Sequence, residues 1–418
     1  MNLTVDAQRL QQELDTLAGF TQVEQTGREG DRAVTRVVFT EDDLQARAWL
    51  HTLHLDAGLQ VRVDAVGNTF ARWVGTDPEL AAVGTGSHTD AIPHAGMYDG
   101  TVGVLGPLEA VRALQRAGYR PRRSIDVVMF TSEEPTRFGI GCLGSRLLAG
   151  TLDPVRAEAL RAADGGTLQE ARTAAGFTGD LAGVRLPKGV YESWVELHIE
   201  QGPLLERDGI DIGVVTHIAA PASYRFVVEG FGGHAGALLM PDRRDALCAA
   251  AELVLGVERA ALETGVIDTV ATIGTVSVHP GAVNSVPSRV EMALDLRDID
   301  AERRDGVMLT IRAACREIEA QRGVTIREEE INADAPASCS ETILSAVESA
   351  CVANGLSHRR MVSRAYHDSL FMARLGPIGM IFIPCRGGVS HRPDEFATVE
   401  AMGHGVRVLA ETLRTLSS

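Results

Sequence analysis

Four segments of the sequence place carboxylate or imidazole side chains directly after an apolar run that is typical of a buried β-strand. These side chains belong to His88 with Asp90, Glu133 with Glu134, His198 with Glu200 and Gln201, and His391. Asp99 follows the first segment in a glycine-flanked loop. Because the carboxyl ends of parallel strands line one crevice of an open sheet, we expect these residues to converge there.

Each of these residues, taken alone, also has a purely structural explanation. A single histidine after a strand often only hydrogen-bonds to its surroundings, and Asp99 before a glycine suits a turn. Glu133 and Glu134 could form the solvated edge of a loop. Their co-occurrence at the same end of successive strands favours a shared site. Adjacent carboxylates raise each other's pKa unless a cation lies between them, so the glutamate pair indicates bound metal.

Imidazole and carboxylate groups together suit Zn²⁺, Mn²⁺ and similar ions. Two such ions need a bridging carboxylate and a few further ligands each. Asp99 can bridge, and the available further ligands are His88, Glu134, His198 and His391. Asp90 is placed to orient the ring of His88 from behind. Glu133 then remains free to act as the general base of a hydrolytic reaction.

The elements that position these residues alternate between strand and helix from about residue 60 to 215, which predicts a mostly parallel, helix-covered sheet. The order then becomes β-α-β-β-α-β, the ferredoxin-like unit. We therefore predict an α/β catalytic domain in two parts, 1–216 and 332–418. An inserted ferredoxin-like α+β domain is predicted at 217–331. A chain of 418 residues is long enough for two domains.

Composition excludes several classes of partner. The net charge is −16, whereas nucleic acids and anionic membranes both require a basic face. No apolar run approaches the roughly 18 residues of a membrane helix. The N-terminal segment indicates an amphipathic helix, with Leu10, Leu14 and Leu17 on one face, and not a secretory signal. The six cysteines lack paired spacing, which predicts reduced thiols and a cytoplasmic location.

Several ordered segments resemble the metal-dependent amidases of the hydantoinase/carbamoylase family, relatives of the dinuclear aminoacylases and carboxypeptidases. The segments are GSHTDAIPHAGMYDG, FTSEEPTRFGIGCLGSRLLAG, LHIEQGPLLE, GFGGHAG, HPGAVNSVPS, DLRDID and GVSHRPDEF. The resemblance covers nearly the whole chain. Within the family, SEEPTRFGIGCLGSRLLAG, GGHAGALLMP and SRAYHDSLFMAR are most similar to the ureidoglycolate amidohydrolases.

The resemblance implies a set of site residues and cofactors. It implies two divalent ions per subunit, Mn²⁺ for preference, with Zn²⁺, Co²⁺ or Ni²⁺ as alternatives. The implied ligands are His88, Asp99, Glu134, His198 and His391, and the implied base is Glu133. His234 is expected to stabilise an oxyanion, from its own or a partner subunit. The expected substrate contacts are Gln201, Asn284, Arg297, Tyr366 and His367.

Arg297 and His94 leave open questions. Arg297 suits a substrate carboxylate because a guanidinium grips it bidentately. Alternatively, Arg297 pairs with Asp295 or Asp298 at a solvated strand end. His94 lies in a loop where the family has other residues, and its role stays open.

The function implied by the resemblance is hydrolysis of the carbamoyl C–N bond of a small ureido carboxylate. (S)-Ureidoglycolate is the expected substrate, and a homodimer through the inserted domain is expected. Allantoate, N-carbamoyl-L-amino acids and N-carbamoyl-β-alanine are alternative substrates. A peptidase and a non-catalytic dimeric scaffold are alternatives of a different kind.

Overall fold

In the computed structural model of the protein, the described residues are 3–21, 23 and 31–418. The chain forms two compact units. The larger unit comprises Met1–Thr216, Ser338–Met361 and His367–Ser418, and the smaller comprises His217–Ala337 and Val362–Tyr366. The smaller unit continues past the predicted boundary at 331, because its last strand runs on beyond that residue.

Several of the helices begin at ordinary capping residues. Asp6, for example, accepts a hydrogen bond from the backbone N–H of Arg9 at the start of the first helix, whose apolar face is buried as predicted. Among the described residues, no helix combines the length and apolar character needed to cross a membrane. The α-helices in the described ranges are α1 (Ala7–Ala18), α2 (Glu41–Asp56), α3 (Val102–Arg116), α4 (Leu143–Ala149), α5 (Pro154–Glu158), α6 (Leu168–Ala174), α7 (Leu204–Asp208), α8 (Ala246–Leu262), α9 (Ala301–Arg322), α10 (Glu341–Ala353), α11 (Ser369–Met372) and α12 (Val399–Leu416).

The strands fall into one large sheet, one four-stranded sheet and two short ribbons. The strands in the described ranges are β1 (Val34–Arg36), β2 (Gln60–Val63), β3 (Thr69–Trp73), β4 (Ala82–His88), β5 (Ala91–Ala95), β6 (Ile125–Phe130), β7 (Tyr191–Ile199), β8 (Ile212–Ile218), β9 (Ala220–Glu229), β10 (Gly233–His234), β11 (Val270–His279), β12 (Ser285–Val286), β13 (Arg289–Asp298), β14 (Thr325–Ala333), β15 (Ala337–Ser338), β16 (His358–Ser363) and β17 (Ile378–Ile383).

The larger unit is built on a mixed sheet with the strand order β15-β8-β17-β7-β4-β6-β3-β2, and β16 pairs with β8. The central strands β17, β7, β4 and β6 are parallel. Strand β8 is antiparallel to β17, β3 is antiparallel to β6, and β2 is antiparallel to β3. Helices α3 and α12 pack on each other and on the sheet. The predicted helix-covered α/β sheet is confirmed, and its parallel part is confined to the centre.

The smaller unit has the predicted ferredoxin-like architecture. Its antiparallel sheet has the order β11-β13-β9-β14. Helices α8 and α9 pack against each other and against this sheet. Phe226, Leu253, Leu294 and Ile311 belong to the single apolar core that these elements enclose. The short ribbon of β10 and β12 carries the GGHAG and NSV segments.

The parallel strands explain why distant polar residues meet. His88 is the last residue of β4, and Glu133 follows the end of β6. His198 lies near the end of β7, and the loop with His391 follows β17. All of these strands run in the same direction, so their carboxyl ends lie at one edge of the sheet.

Candidate active site

Asp99 lies at the centre of a cluster of histidines in the larger unit. Its Oδ1 atom lies 3.2 Å from His198 Nε2 and 3.6 Å from His88 Nε2. Its Oδ2 atom lies 3.3 Å from His391 Nε2, which in turn lies 3.2 Å from Glu134 Oε1. The two carboxylate oxygens therefore face two ligand groups that share Asp99.

The spacing within this cluster fits two divalent ions. Nitrogen and oxygen ligands at about 2.0–2.2 Å from a tetrahedral ion stand about 3.3–3.6 Å from one another. The corresponding atoms of the cluster are 3.2–3.6 Å apart. Imidazole and carboxylate are also the donors that Zn²⁺, Mn²⁺ and their neighbours accept. The structure thus brings the five predicted ligands together in groups able to hold metal.

Asp90 joins the ends of β4 and β6. Its carboxylate accepts hydrogen bonds from the backbone N–H of Glu133, at 3.2 Å, and of Glu134, at 3.0 Å. The backbone carbonyl of Asp90 lies 3.0 Å from His88 Nδ1, whereas its carboxylate lies 3.7 Å away. The nearest partner of the His88 ring is therefore the carbonyl. The carboxylate instead fixes the backbone that carries both glutamates.

Glu395 fixes the loop that carries Asp99. Its Oε1 atom accepts the backbone N–H groups of Tyr98 and Asp99, at 2.8 and 2.9 Å. Ser390 donates to Asp99 Oδ2 at 2.7 Å and also bonds to Glu395. Gln201 donates to the same Asp99 oxygen at 2.6 Å, so it lies beside the cluster as predicted. These bonds hold Oδ2 of Asp99 and the backbone that carries it.

Glu133 lies next to the cluster. It is only 8% exposed, and its Oε2 atom lies 3.7 Å from His88 Nε2. Burial raises the pKa of Glu133 well above its ordinary value; the charge of His88 opposes this shift, and the charges of Glu134, Asp368 and Asp99 add to it. A carboxylate with a raised pKa accepts a proton more readily than an exposed one.

The histidines and Asp99 balance each other's charge. Burial opposes ionisation of Asp99, but hydrogen bonds from His198, His391 and His88 hold its pKa well below the usual range. Hydrogen bonds to Asp99 and Glu134 raise the pKa of His391 to about 11. Without a cation, protons on the imidazoles neutralise the carboxylates. A bound cation would take over that role.

Several site residues adopt a left-handed backbone that is uncommon outside glycine. The φ angles are 56° at Ser132, 54° at Cys142, 53° at Gln201 and 59° at His391. Each lies in a loop that carries a site residue. Such conformations cluster at functional sites, where surrounding structure enforces them. His94 shares this backbone, at 59°, and is exposed on β5.

A third group of buried, metal-capable side chains consists of Glu196, His198 and His367. The oxygens of Glu196 accept hydrogen bonds from the hydroxyls of Ser87 and Ser369. His198 Nδ1 lies 2.9 Å from the carbonyl of Ile199. The ring of His367 packs edge-on against that of His198, with centroids 4.6 Å apart. Because these donors and acceptors are already used, we interpret the group as support for His198.

Two predicted site residues lie together on the small ribbon of the smaller unit. His234 is on β10, and the carbonyl of Asn284 accepts the backbone N–H of Ala235 at 2.9 Å. Both side chains are exposed. The N–H of Gly236 donates to His234 Nδ1 at 3.1 Å, so a neutral ring carries its proton on Nε2. That N–H group is the one that could donate a hydrogen bond to an oxyanion.

Arg297 and Tyr366 also lie in the smaller unit and have partners there. The guanidinium of Arg297 binds the carboxylate of Asp295 through two bonds, of 2.7 and 3.2 Å, and donates to the carbonyl of Arg364. The alternative pairing with Asp295 is therefore present in the structure. The hydroxyl of Tyr366 donates to Asp334 at 3.2 Å. Their contacts with a substrate stay a prediction.

The sequence model of peptidase family M20/M25/M40 matches residues 84–415. The chain belongs to this family. It is 50% identical to the ureidoglycolate hydrolase of Arabidopsis thaliana, over 100% of this chain and 88% of that protein. It is 40% identical to the N-carbamoyl-L-amino acid amidohydrolase of Geobacillus stearothermophilus, over 94% and 96%. The crystal structure of AtUAH in complex with (S)-hydroxyglycine matches with a TM-score of 0.89 and 50% identity, covering 99% of this chain and 98% of that one.

In this M20/M25/M40 family member, sequence reasoning missed residues that hold the ligands in place. Glu395, Ser390 and Glu196 act through partners far away in the chain, and Glu395 is 297 residues from Tyr98. Only Glu395 had a usable signal, since it is an acidic residue that follows His391 closely in the GVSHRPDEF segment.

Proposed function

We propose that the protein is a dinuclear-metal amidohydrolase that cleaves the carbamoyl C–N bond of a small ureido carboxylate, with (S)-ureidoglycolate as the favoured substrate. The observation that carries the reaction type is the pair of ligand groups sharing Asp99, with the buried Glu133 beside them. The choice of substrate follows the 50% identity to a ureidoglycolate hydrolase, against 40% to an N-carbamoyl-L-amino acid amidohydrolase.

Two divalent ions are proposed as cofactors, with Mn²⁺ preferred and Zn²⁺, Co²⁺ or Ni²⁺ as alternatives. The residues that would hold them are His88, Asp99, His198, Glu134 and His391. When bound, such ions supply Lewis-acid chemistry and lower the pKa of water.

Glu133 moves the proton in this proposal. It accepts a proton from the attacking water and later donates it to the leaving nitrogen. The water oxygen becomes bonded to the carbamoyl carbon, whose bond to the inner nitrogen breaks. Carbamate then separates into carbon dioxide and ammonia. The other product, hydroxyglycine, loses ammonia to give glyoxylate. The relative AtUAH has been crystallised in complex with (S)-hydroxyglycine and with glyoxylate, which supports this order of steps.

The remaining predicted residues would bind the substrate. The Nε2–H of His234 would donate to the oxyanion that develops on the carbamoyl oxygen, with Asn284 as a second donor. Arg297 would bind the substrate carboxylate, which would then compete with Asp295 for the guanidinium. The other proposed contacts are Gln201, Tyr366 and His367.

A homodimer through the smaller unit is also proposed. The sheet of this unit has two edge strands, β11 and β14. Strand β14 carries the charged run Arg327–Glu330, a common protection against edge pairing, whereas the VATIGTVSVH segment of β11 has no acidic, lysine or arginine residue. A cytoplasmic location is supported by the six cysteines, all of which are free.

Ammonia release tests the proposal. The protein would be stripped with a chelator, reloaded with Mn²⁺ and assayed on (S)-ureidoglycolate, allantoate and a panel of N-carbamoyl amino acids. We expect strong preference for ureidoglycolate, and no release by the stripped protein. Preference for N-carbamoyl-L-amino acids would instead support the second candidate function. If the metal-loaded protein released no ammonia from any of these substrates, the amidohydrolase proposal would be contradicted.

A further inference from the structure

The two carboxylate oxygens of Glu133 have different surroundings. Oε2 lies 3.7 Å from His88 Nε2, on the side of the metal-capable cluster. Oε1 lies 3.4 Å from the thiol sulfur of Cys142, which donates to it. Among the residues that the structure describes, this thiol is the hydrogen-bond donor to the Glu133 carboxylate. The thiol therefore holds Oε1 in place, and Oε2 remains on the side of the cluster, where it can take part in proton transfer.

Backbone hydrogen bonds hold Cys142 beside the segment that carries Glu133. Cys142 precedes the first turn of α4 with a left-handed φ of 54°. Its N–H donates to the carbonyl of Glu133 at 2.7 Å, and Leu143 and Gly144 bond in the same way to Ser132 and Thr131. The start of α4 is therefore joined to the segment that carries the base. The backbone of Cys142 therefore cannot shift without moving that segment as well.

We propose that Cys142 is a positioning residue for Glu133, whose thiol holds Oε1 so that Oε2 faces the reacting groups. The inference rests on the proposed function, since it assigns Glu133 as the base. Cys142 is fully buried, and this burial raises the pKa of its thiol well above the ordinary value. The thiol therefore keeps its proton and remains a donor.

Two substitutions separate hydrogen bonding from packing. Cys142→Ala removes the donor, and we expect kcat to fall about 5- to 10-fold, with KM and metal content unchanged. Cys142→Ser keeps a donor, and we expect it to retain about half of the activity or more. A packing role predicts the opposite order, because an unbonded hydroxyl is harder to bury than a methyl group. Cys351→Ala is the matched control, since that cysteine is also fully buried.

The pH profile gives a second reading. A donor to Oε1 stabilises the charged form of Glu133, so its loss should move the acid limb of kcat to higher pH in Cys142→Ala. Cys142→Ser and Cys351→Ala should keep the limb in place. Equal kcat and an unchanged limb in Cys142→Ala would overturn the inference while leaving the proposed function intact.

Infrared spectroscopy tests the contact without relying on activity. The S–H stretching band that disappears in Cys142→Ala belongs to this thiol. In Glu133→Gln the acceptor becomes neutral and the hydrogen bond weakens, so we expect the band to move to higher frequency. A band that stays in place would overturn the inference. The infrared band can be measured even if the protein hydrolyses no ureido substrate. That result would contradict the proposed function and would leave the contact between Cys142 and Glu133 testable.

Discussion

Glu133 and Glu134 are neighbours in sequence, yet their side chains face different partners. Both backbone N–H groups bind the single carboxylate of Asp90. The side chain of Glu134 reaches His391, while that of Glu133 approaches His88. One short segment therefore offers both a proposed metal ligand and the proposed base to the same centre.

This division of roles predicts opposite outcomes for two matched substitutions. Glu133→Gln should keep both metal ions and lower kcat by about 10²–10⁴-fold, because a neutral amide cannot accept the proton. Glu134→Gln should lose metal, because the amide is a weaker ligand than the carboxylate. Elemental analysis and steady-state kinetics on the two variants would check this. Near-normal turnover in Glu133→Gln would place the base elsewhere.

Metal binding should release protons and strengthen as pH rises. His391 in the metal-free protein has a pKa of about 11, so near neutral pH it carries a proton that must leave before it can ligate. Affinity should fall about tenfold for each pH unit and each displaced proton as pH decreases. Calorimetric titration in buffers of different ionisation enthalpy measures the release. His391→Asn should release fewer protons, and identical heats in all buffers would contradict the prediction.

The proposed ligands could be predicted from sequence because each lies at or after the end of a strand, and strand ends are visible in the apolar pattern. Arg297 could not be assigned in this way, since a guanidinium at a strand end serves a substrate or Asp295 equally well. Glu395 was missed because its partners, the N–H groups of Tyr98 and Asp99, become neighbours only after folding. Local patterns reveal which residues can act, whereas their supports depend on tertiary structure.

At the scale of elements, the turn between β5 and α3 brings backbone very close to a ligand. Gly100 has a φ of 66°, and a Cβ there would lie 2.5 Å from His88 Nε2. Gly118, after α3, has a similar φ of 74° with nothing within 4 Å of an added Cβ. The two glycines share a left-handed backbone that would strain any other residue, and they differ in what a side chain would meet.

Gly100→Ala and Gly118→Ala form a matched pair on this basis. Both should lower the free energy of unfolding by roughly 1–2 kcal/mol, the cost of a left-handed alanine. Only Gly100→Ala should also displace the His88 ring and weaken metal binding, by about 10- to 100-fold. Thermal unfolding and metal titration would measure the two effects. Equal metal affinity in both variants would show that the His88 ring tolerates the added methyl group.

The elements themselves were predicted with uneven success. The ferredoxin-like order was readable because β9, β13 and the long helices α8 and α9 have clear periodicities. The antiparallel direction of β2, β3 and β8 was not readable, because burial pattern does not depend on strand direction. Chain direction is set by loop length and by pairing partners, which a single sequence does not display.

At the scale of the whole molecule, the proposed dimer depends on the uncharged edge strand β11. Val276 on this strand and Ile331 on the opposite edge, β14, are both exposed apolar residues, at 51% and 41%. They allow the same change to be made on both edges of one sheet.

Val276→Asp should therefore yield monomers, because it places a charge in the proposed interface. Ile331→Asp should leave the dimer intact, because β14 already carries charges. Light scattering at micromolar concentration gives the mass of each. A monomeric wild type would remove the dimer proposal, and a dimeric Val276→Asp would move the interface to another surface.

The left-handed residues Ser132, Gln201 and His391 have a consequence for laboratory evolution. Glycine at these positions would relieve backbone strain of roughly 1–2 kcal/mol each, so a screen for heat resistance alone would favour it. The same replacements would delete a ligand at 391 and the amide that bonds to Asp99 at 201. Selection for thermal stability and selection for catalytic turnover would therefore favour different residues at the same few positions.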